Sequence, residues 1–194
     1  DSCIRLYEFK SFNLLRIDSS GAEIRFAWMS NNEEQLLWIN NNGFLFSANL
    51  NNKNDSIIKI KISDCALSCI VLNEIENEIS ITDDKGNFYI IEYPSYKLKK
   101  KYLAYPEGAC FIAEWNTNNS FLATTGITGE IKIWKKQNKE YVLFKSILAH
   151  DNAICSLHFD KNGNKMLSAS LSGEIKEWDS KSFKLINSTN INDL

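Results

Sequence analysis

The 194-residue sequence is short of several residue types, and each shortage removes a class of function. Its two histidines, His150 and His158, are too few for a zinc site of the usual Cys/His kind, and Cys65 and Cys69 have no second cysteine pair near them. The same scarcity weakens nucleophilic catalysis by serine or cysteine, which generally needs a nearby base, most often histidine. No catalytic residue, metal or cofactor is therefore expected. The eight glycines stand singly, so no glycine-rich loop is present to cradle a phosphate. No apolar run is long enough for a membrane span, and no secretory segment with a charged start and apolar middle is present. With 22 basic and 24 acidic residues the net charge is −2, unlike the strongly basic balance of a general nucleic-acid binder. Only two prolines accompany abundant Asn, Lys and Ile, which reads as the bias of an AT-rich genome. The odd set of five cysteines, Cys3, Cys65, Cys69, Cys110 and Cys155, is scattered through strand positions and points to buried free thiols in a reducing compartment, cytoplasmic or nuclear.

What the sequence does contain is a period. The string Gly173-Glu174-Ile175-Lys176-Glu177-Trp178-Asp179 has degraded copies upstream, and its tryptophan position recurs at Tyr7, Ala48, Ile91, Trp134 and Trp178, in steps of 41, 43, 43 and 44 residues. A period of ~40 to 45 residues with a Trp-Asp ending is the signature of four-stranded propeller blades. Two further landmarks keep the same phase. Gly43, Gly86, Gly129 and Gly173 precede the tryptophan slot where a strand-to-strand turn needs positive φ, and Trp28, Leu72, Trp115 and Phe159 close a first strand. Second strands follow at 36–39, 79–82, 121–125 and 166–170, after turns marked by Asn31-Asn32, Asn118-Asn119 and Asn162-Gly163. Fourth strands are expected at 57–62, 99–104, 141–148 and 183–187. The Asn-rich stretch 49–54 reads as a solvated connector.

Residues 150–179 resemble a WD40 repeat, with Ala149-His150 in the Gly-His slot, then Phe159, Asn162-Gly163, Ser168-Ala169-Ser170 and Trp178-Asp179. The resemblance implies an all-β fold, a WD40-type β-propeller segment of four complete four-stranded blades plus the last two strands of a preceding blade. It also implies that Trp178, His150, a strand serine (Ser168 or Ser170) and a turn aspartate form a buried hydrogen-bonded set. Trp134 fills the tryptophan slot of the copy before. The aspartate slot holds Ser172, which would leave His150 without an ionic partner. In the other copies residues near Glu23, Asp64 and Glu107 stand in the histidine slot, so their integrity is expected to rest on burial.

One partial propeller domain over 1–194 is expected, with a half blade at about 1–17 and blades at about 22–62, 65–104, 108–148 and 151–188. Because a closed ring has typically four to eight blades, the chain reads as a segment of a larger propeller that would associate through its open edge when isolated.

The function that follows is a non-catalytic scaffold for protein–protein interactions inside an intracellular multiprotein complex, since rigid blades hold loops in a ring and binding residues concentrate on loops. By resemblance, the partner-binding rim comprises the second-to-third-strand turns Asn41, Asn42, Asp84, Lys85, Ile127, Thr128, Leu171 and Ser172, with Arg25, Glu107, Asp151 and Asn152 at the approaches to first strands. Ile127 and Leu171 are apolar residues in tight exposed turns and stand as candidate anchors. The alternative is a ribosome-assembly or RNA-processing subunit that contacts RNA through Lys97, Lys99, Lys100 and Lys101, although lysines on an outermost strand also guard the edge against pairing. Asp83-Asp84 and Glu33-Glu34 read as turn chemistry rather than catalytic pairs, and His158 as a packed or partly exposed strand residue. Trp28, Trp115, Trp134 and Trp178 read as core. Trp38, beside the loop Asn40-Asn41-Asn42, reads as core with some reach toward the rim.

Overall fold

Short apolar stretches separated by Asn, Asp and Gly turns fold as antiparallel strands along the whole chain. The computed structural model describes residues 2–8, 10–30, 33–52 and 56–193, without the side chain of Asp193. The Asn31-Asn32 turn and the 53–54 part of the Asn-rich connector lie outside the described residues.

A two-stranded hairpin, β1 (Cys3–Tyr7) and β2 (Leu14–Ser19), is followed by four sheets, each a simple meander. Blade 1 contains β3 (Ile24–Met29), β4 (Gln35–Asn40), β5 (Phe44–Asn49) and β6 (Ile58–Lys61). Blade 2 contains β7 (Leu67–Asn73), β8 (Glu78–Asp83), β9 (Asn87–Glu92) and β10 (Leu98–Leu103). Blade 3 contains β11 (Cys110–Trp115), β12 (Phe121–Gly126), β13 (Glu130–Gln137) and β14 (Glu140–Leu148). Blade 4 contains β15 (Ile154–Phe159), β16 (Lys165–Ser170), β17 (Glu174–Asp179) and β18 (Leu185–Asn190). The first strands of consecutive blades, β3, β7, β11 and β15, pack side by side, so the sheets radiate from a shared axis. This is a β-propeller arc.

Burial explains why some strands lack the alternation of a sheet with one wet face. In β8 and β12 every residue is buried, because a middle blade packs both faces against neighbours. One core joins Leu37, Ile39 and Leu45 of blade 1 to Ile70, Ile79 and Ile91 of blade 2. A second joins Phe88 and Ile90 to Trp115, Leu122 and Trp134, and a third joins Ala123, Ile131 and Ile133 to Leu157, Met166 and Trp178. In β16 burial alternates instead, since only one face of blade 4 is covered.

The glycines of the second-to-third-strand turns do what their spacing predicts. Gly43, Gly86, Gly129 and Gly173 have φ of 77°, 78°, 75° and 83°. At Gly86 a Cβ would fall 1.8 Å from the Tyr105 carbonyl oxygen, so both the backbone angle and the close approach require glycine.

Three expectations need correction. Phe183 does not begin the last strand: it sits in the preceding turn at φ 58°, its ring buried against Phe121, and the strand runs from Leu185 to Asn190. Trp38 has no reach toward the rim. It is fully buried and stacked on Phe46 with ring centroids 5.3 Å apart. The thiols are all free, but only Cys69 and Cys110 are buried, while Cys155 is exposed. Burial raises the Cys69 pKa to about 11, which leaves that thiol protonated and inert.

Candidate partner-binding face

The geometry of the candidate face begins with the loops that lead into each first strand, because these decide how the blades are tied. The amides of His150, Tyr105 and Ser63 donate to the carbonyl oxygens of Gly129, Gly86 and Gly43 at 3.1, 2.9 and 3.2 Å. The three residues are therefore structurally equivalent, and the histidine slot of blades 3 and 2 holds Tyr105 and Ser63 rather than Glu107 and Asp64.

In blade 4 the slot builds a one-directional chain of hydrogen bonds. Trp178 Nε1–H donates to Ser168 Oγ at 2.9 Å, and Ser168 Oγ lies 2.8 Å from His150 Nε2. His150 Nδ1 lies 2.9 Å from Glu174 Oε2. Because the Glu174 carboxylate can only accept, a neutral imidazole carries its proton on Nδ1, facing it; Nε2 is then an acceptor, and the Ser168 hydroxyl, which accepts from the indole, donates its own hydrogen to Nε2. Burial keeps the His150 pKa below the ordinary histidine value, although Glu174 pulls in the opposite direction. The expectation that His150 lacks an ionic partner is thus overturned. Glu174, two residues beyond Ser172, supplies the carboxylate, and Lys176 holds it at 3.0 Å. Of the two candidate serines Ser168 is the member of the chain, while Ser170 bonds Ser172 at 2.7 Å. Asp179 caps the next turn, accepting from the Ser182 amide at 2.7 Å.

Blade 3 reaches a similar result without histidine. Trp134 Nε1 donates to Thr124 Oγ1 at 2.9 Å, and the Tyr105 hydroxyl donates to the Thr124 carbonyl at 2.7 Å. In blade 2 the Tyr89 hydroxyl donates to Asp83 Oδ2 at 2.7 Å and lies 3.1 Å from Ser63 Oγ. Asp83 also accepts from the amides of Lys85 and Asn87 at 3.0 and 2.9 Å, which fixes the β8–β9 turn. Burial would raise the Asp83 pKa, but these hydrogen bonds outweigh it and hold the carboxyl below its ordinary value. Blade integrity therefore rests on buried polar sets as well as on apolar packing.

Each rim turn is also bonded to its neighbouring lead-in loop. The amides of Asn41, Asp84, Ile127 and Leu171 donate to the carbonyl oxygens of Glu23, Ala66, Ala109 and Ala153 at 2.9 to 3.2 Å. The rim is consequently a rigid array. Ile127 is 50% exposed and Leu171 67% exposed. Leu171 reaches the axis, where with Arg25, Phe26, Phe111 and Cys155 it lines a cavity of about 370 Å³ between the first strands. Arg25 sits 3.7 Å from Asp84, whose Oδ1 accepts from Ser68 Oγ at 2.7 Å. Thr128 belongs to a separate hollow of about 290 Å³ with Tyr105, Glu107 and Lys132. The Asn42 carbonyl accepts from Lys61 Nζ at 2.8 Å, and Asn41 Nδ2 lies 3.4 Å from Glu23 Oε2.

The lysines of β10 are less free than their sequence suggests. Lys99 is 3.1 Å from Glu78 and Lys100 is 2.7 Å from Glu140. His158 is exposed on β15 and lies 3.2 Å from Glu114 Oε2. Among the described residues no cluster of three or more His, Cys, Asp or Glu side chains could hold a metal ion, and no helix is long and apolar enough to cross a membrane.

Comparison with known proteins agrees with this geometry. Residues 142–179 match the family model described as WD domain, G-beta repeat, a stretch that runs from β14 to the end of β17. The fold is that of a chain in a solved structure titled "Crystal Structure of Mitotic Checkpoint Complex", with a TM-score of 0.84, 11% identity, and coverage of 98% of this chain and 61% of that one. A curated relative, "Periodic tryptophan protein 2" of Arabidopsis thaliana, is 31% identical over 70 residues, which is 36% of this chain and 8% of that protein. Residues 142–179 thus carry a WD40 repeat, and the described residues as a whole have the fold of a partial β-propeller.

Proposed function

We propose that the protein is a non-catalytic scaffold that binds other proteins through the rim turns of its propeller, as part of an intracellular assembly. The observation that carries this reading is the exposure of two apolar side chains, Ile127 and Leu171, on turns whose backbones are pinned to the neighbouring loops. A rigid apolar group loses little conformational freedom on binding, so it serves as an anchor in a desolvated contact. Around these anchors Asn41, Asn42, Asp84, Lys85, Thr128 and Ser172 supply a polar border. The WD40 repeat and the fold support a protein-binding role of this kind. The RNA-contacting alternative draws less support, because Lys99 and Lys100 are already engaged by carboxylates.

The test replaces Ile127 and Leu171 with Asp and compares co-purified proteins by mass spectrometry. The variant is expected to retain its strand signature by circular dichroism and to lose one or more partners. An unchanged partner set refutes the anchor assignment.

A further inference from the structure

The face opposite the rim carries a second recessed surface, a cleft of about 730 Å³ between blades 2 and 3. Its floor is Glu78, whose side chain is 2% exposed. Three groups hold that carboxylate: Lys99 at 3.1 Å, Lys136 at 3.0 Å and the Tyr141 hydroxyl at 2.9 Å, which itself accepts from Trp115 Nε1 at 3.0 Å. Lys136 also pairs with Glu76 at 2.9 Å. The negative charge of the floor is thus answered from within, and the mouth is left to Lys97 and Lys139, with Leu98 as an apolar shelf beside them.

The three turns that frame the cleft share one property. Each holds a non-glycine residue at positive φ: Asn77 at 51°, Tyr96 at 57°, and Asn138 with Lys139 at 49° and 70°. Asparagine tolerates that conformation, but a tyrosine or lysine there is disfavoured and persists only where its surroundings determine it. The 137–140 hairpin therefore presents the Lys139 cation from a fixed two-residue turn, at a place where glycine is the easier choice.

We propose that this cleft binds a short acidic segment of a partner protein, with one or two carboxylates bridging Lys97 and Lys139 and an apolar neighbour seated on Leu98. Charge complementarity favours a discrete acidic motif over a nucleic acid. Glu92 lines the same cleft, so the free positive charge there is confined to a pair of lysines, which suits one or two carboxylates better than the continuous phosphates of a nucleic acid. The surface lies on the opposite side of the sheets from Ile127 and Leu171 and is independent of the rim reading.

The test uses fluorescence anisotropy with a fluorescein-labelled hexapeptide of alternating Glu and Leu, the same peptide with Gln in place of Glu, and a hexauridine oligonucleotide. The Glu peptide is expected to bind in a salt-dependent manner and the Gln peptide about tenfold more weakly. Lys97→Glu with Lys139→Glu should weaken the Glu peptide by about tenfold or more, while Lys59→Glu on β6 and the Ile127→Asp, Leu171→Asp pair leave it unchanged. Absent binding, equal affinity for both peptides, indifference to the lysine substitutions, or tighter binding of the oligonucleotide would each overturn the proposal.

Discussion

At Ser168 one hydroxyl both accepts from an indole and donates to an imidazole, so a single atom joins the second strand, the third strand and the lead-in loop of blade 4. Replacing it with Ala leaves Trp178 Nε1 and His150 Nε2 buried without partners, each at a cost of about 1 to 3 kcal/mol. Ser168→Ala is accordingly expected to lower unfolding stability by about 2 kcal/mol or more in a urea titration, whereas Ser172→Ala, which gives up one hydrogen bond from an exposed residue to Ser170, should cost no more than about 1 kcal/mol. Glu78 and His150, with Asp83, contribute to the pH dependence in the same direction. The folded-state pKa of Glu78 is lowered: burial opposes this, but Lys136, Lys99 and Tyr141 outweigh it. The His150 pKa is also lowered, in this case chiefly by burial. A depressed folded pKa means that the unfolded chain takes up the proton first, so both contributions are complete at neutral pH and are lost in acid. For His150 the loss begins as pH falls through the ordinary histidine value of 6.5 and for Glu78 as it falls through the ordinary glutamate value of 4.5. In Glu78→Gln the acid limb of a plot of stability against pH should become shallower, the remainder being carried by Asp83, and an unchanged limb would contradict the assignment.

At the scale of the element, strands and turns were legible because their signals are local. Short apolar stretches, the Asn-rich turns and the glycines at 43, 86, 129 and 173 each require only a few neighbouring residues. The polar sets were not legible, because they depend on which residue a lead-in loop brings under the blade. Tyr105 lies 29 residues ahead of Trp134 and His150 lies 28 ahead of Trp178, so a slot counted at fixed offset misses the tyrosine. Glu174 escaped notice for another reason: a carboxylate two residues past the expected position still reaches the imidazole because its side chain is longer than that of aspartate. Outer-strand bulges were equally hidden. The register slips opposite Trp178, Trp134 and Ile91, which leaves Ile186, Phe144 and Lys99 as the extra residues, and Lys99 meets Glu78 from that position. Gly86→Ala tests the turn geometry. A Cβ there meets the Tyr105 carbonyl oxygen at a positive φ, and the substitution should cost more than about 2 kcal/mol. Gly21, with nothing within 4 Å of a Cβ, should lose less despite its φ of 70°.

For the whole molecule, the cores lie between sheets, so every blade depends on its neighbours. The outer face of blade 4 exposes Leu167 and Ile175, whose counterparts in blade 3, Ala123 and Ile131, are fully buried. The 194-residue chain is therefore expected to self-associate in light scattering, and Leu167→Lys with Ile175→Lys to return it toward monomer. A monodisperse wild type would count against this. The proposed partner-binding role is tested most directly by a photo-crosslinking amino acid placed at Leu171, with Val142 on the outer strand β14 as the control site, followed by irradiation in cell extract. A discrete protein adduct at Leu171, absent at Val142, is the result the scaffold reading predicts. Equal labelling at both sites, or crosslinking to nucleic acid alone, would contradict it.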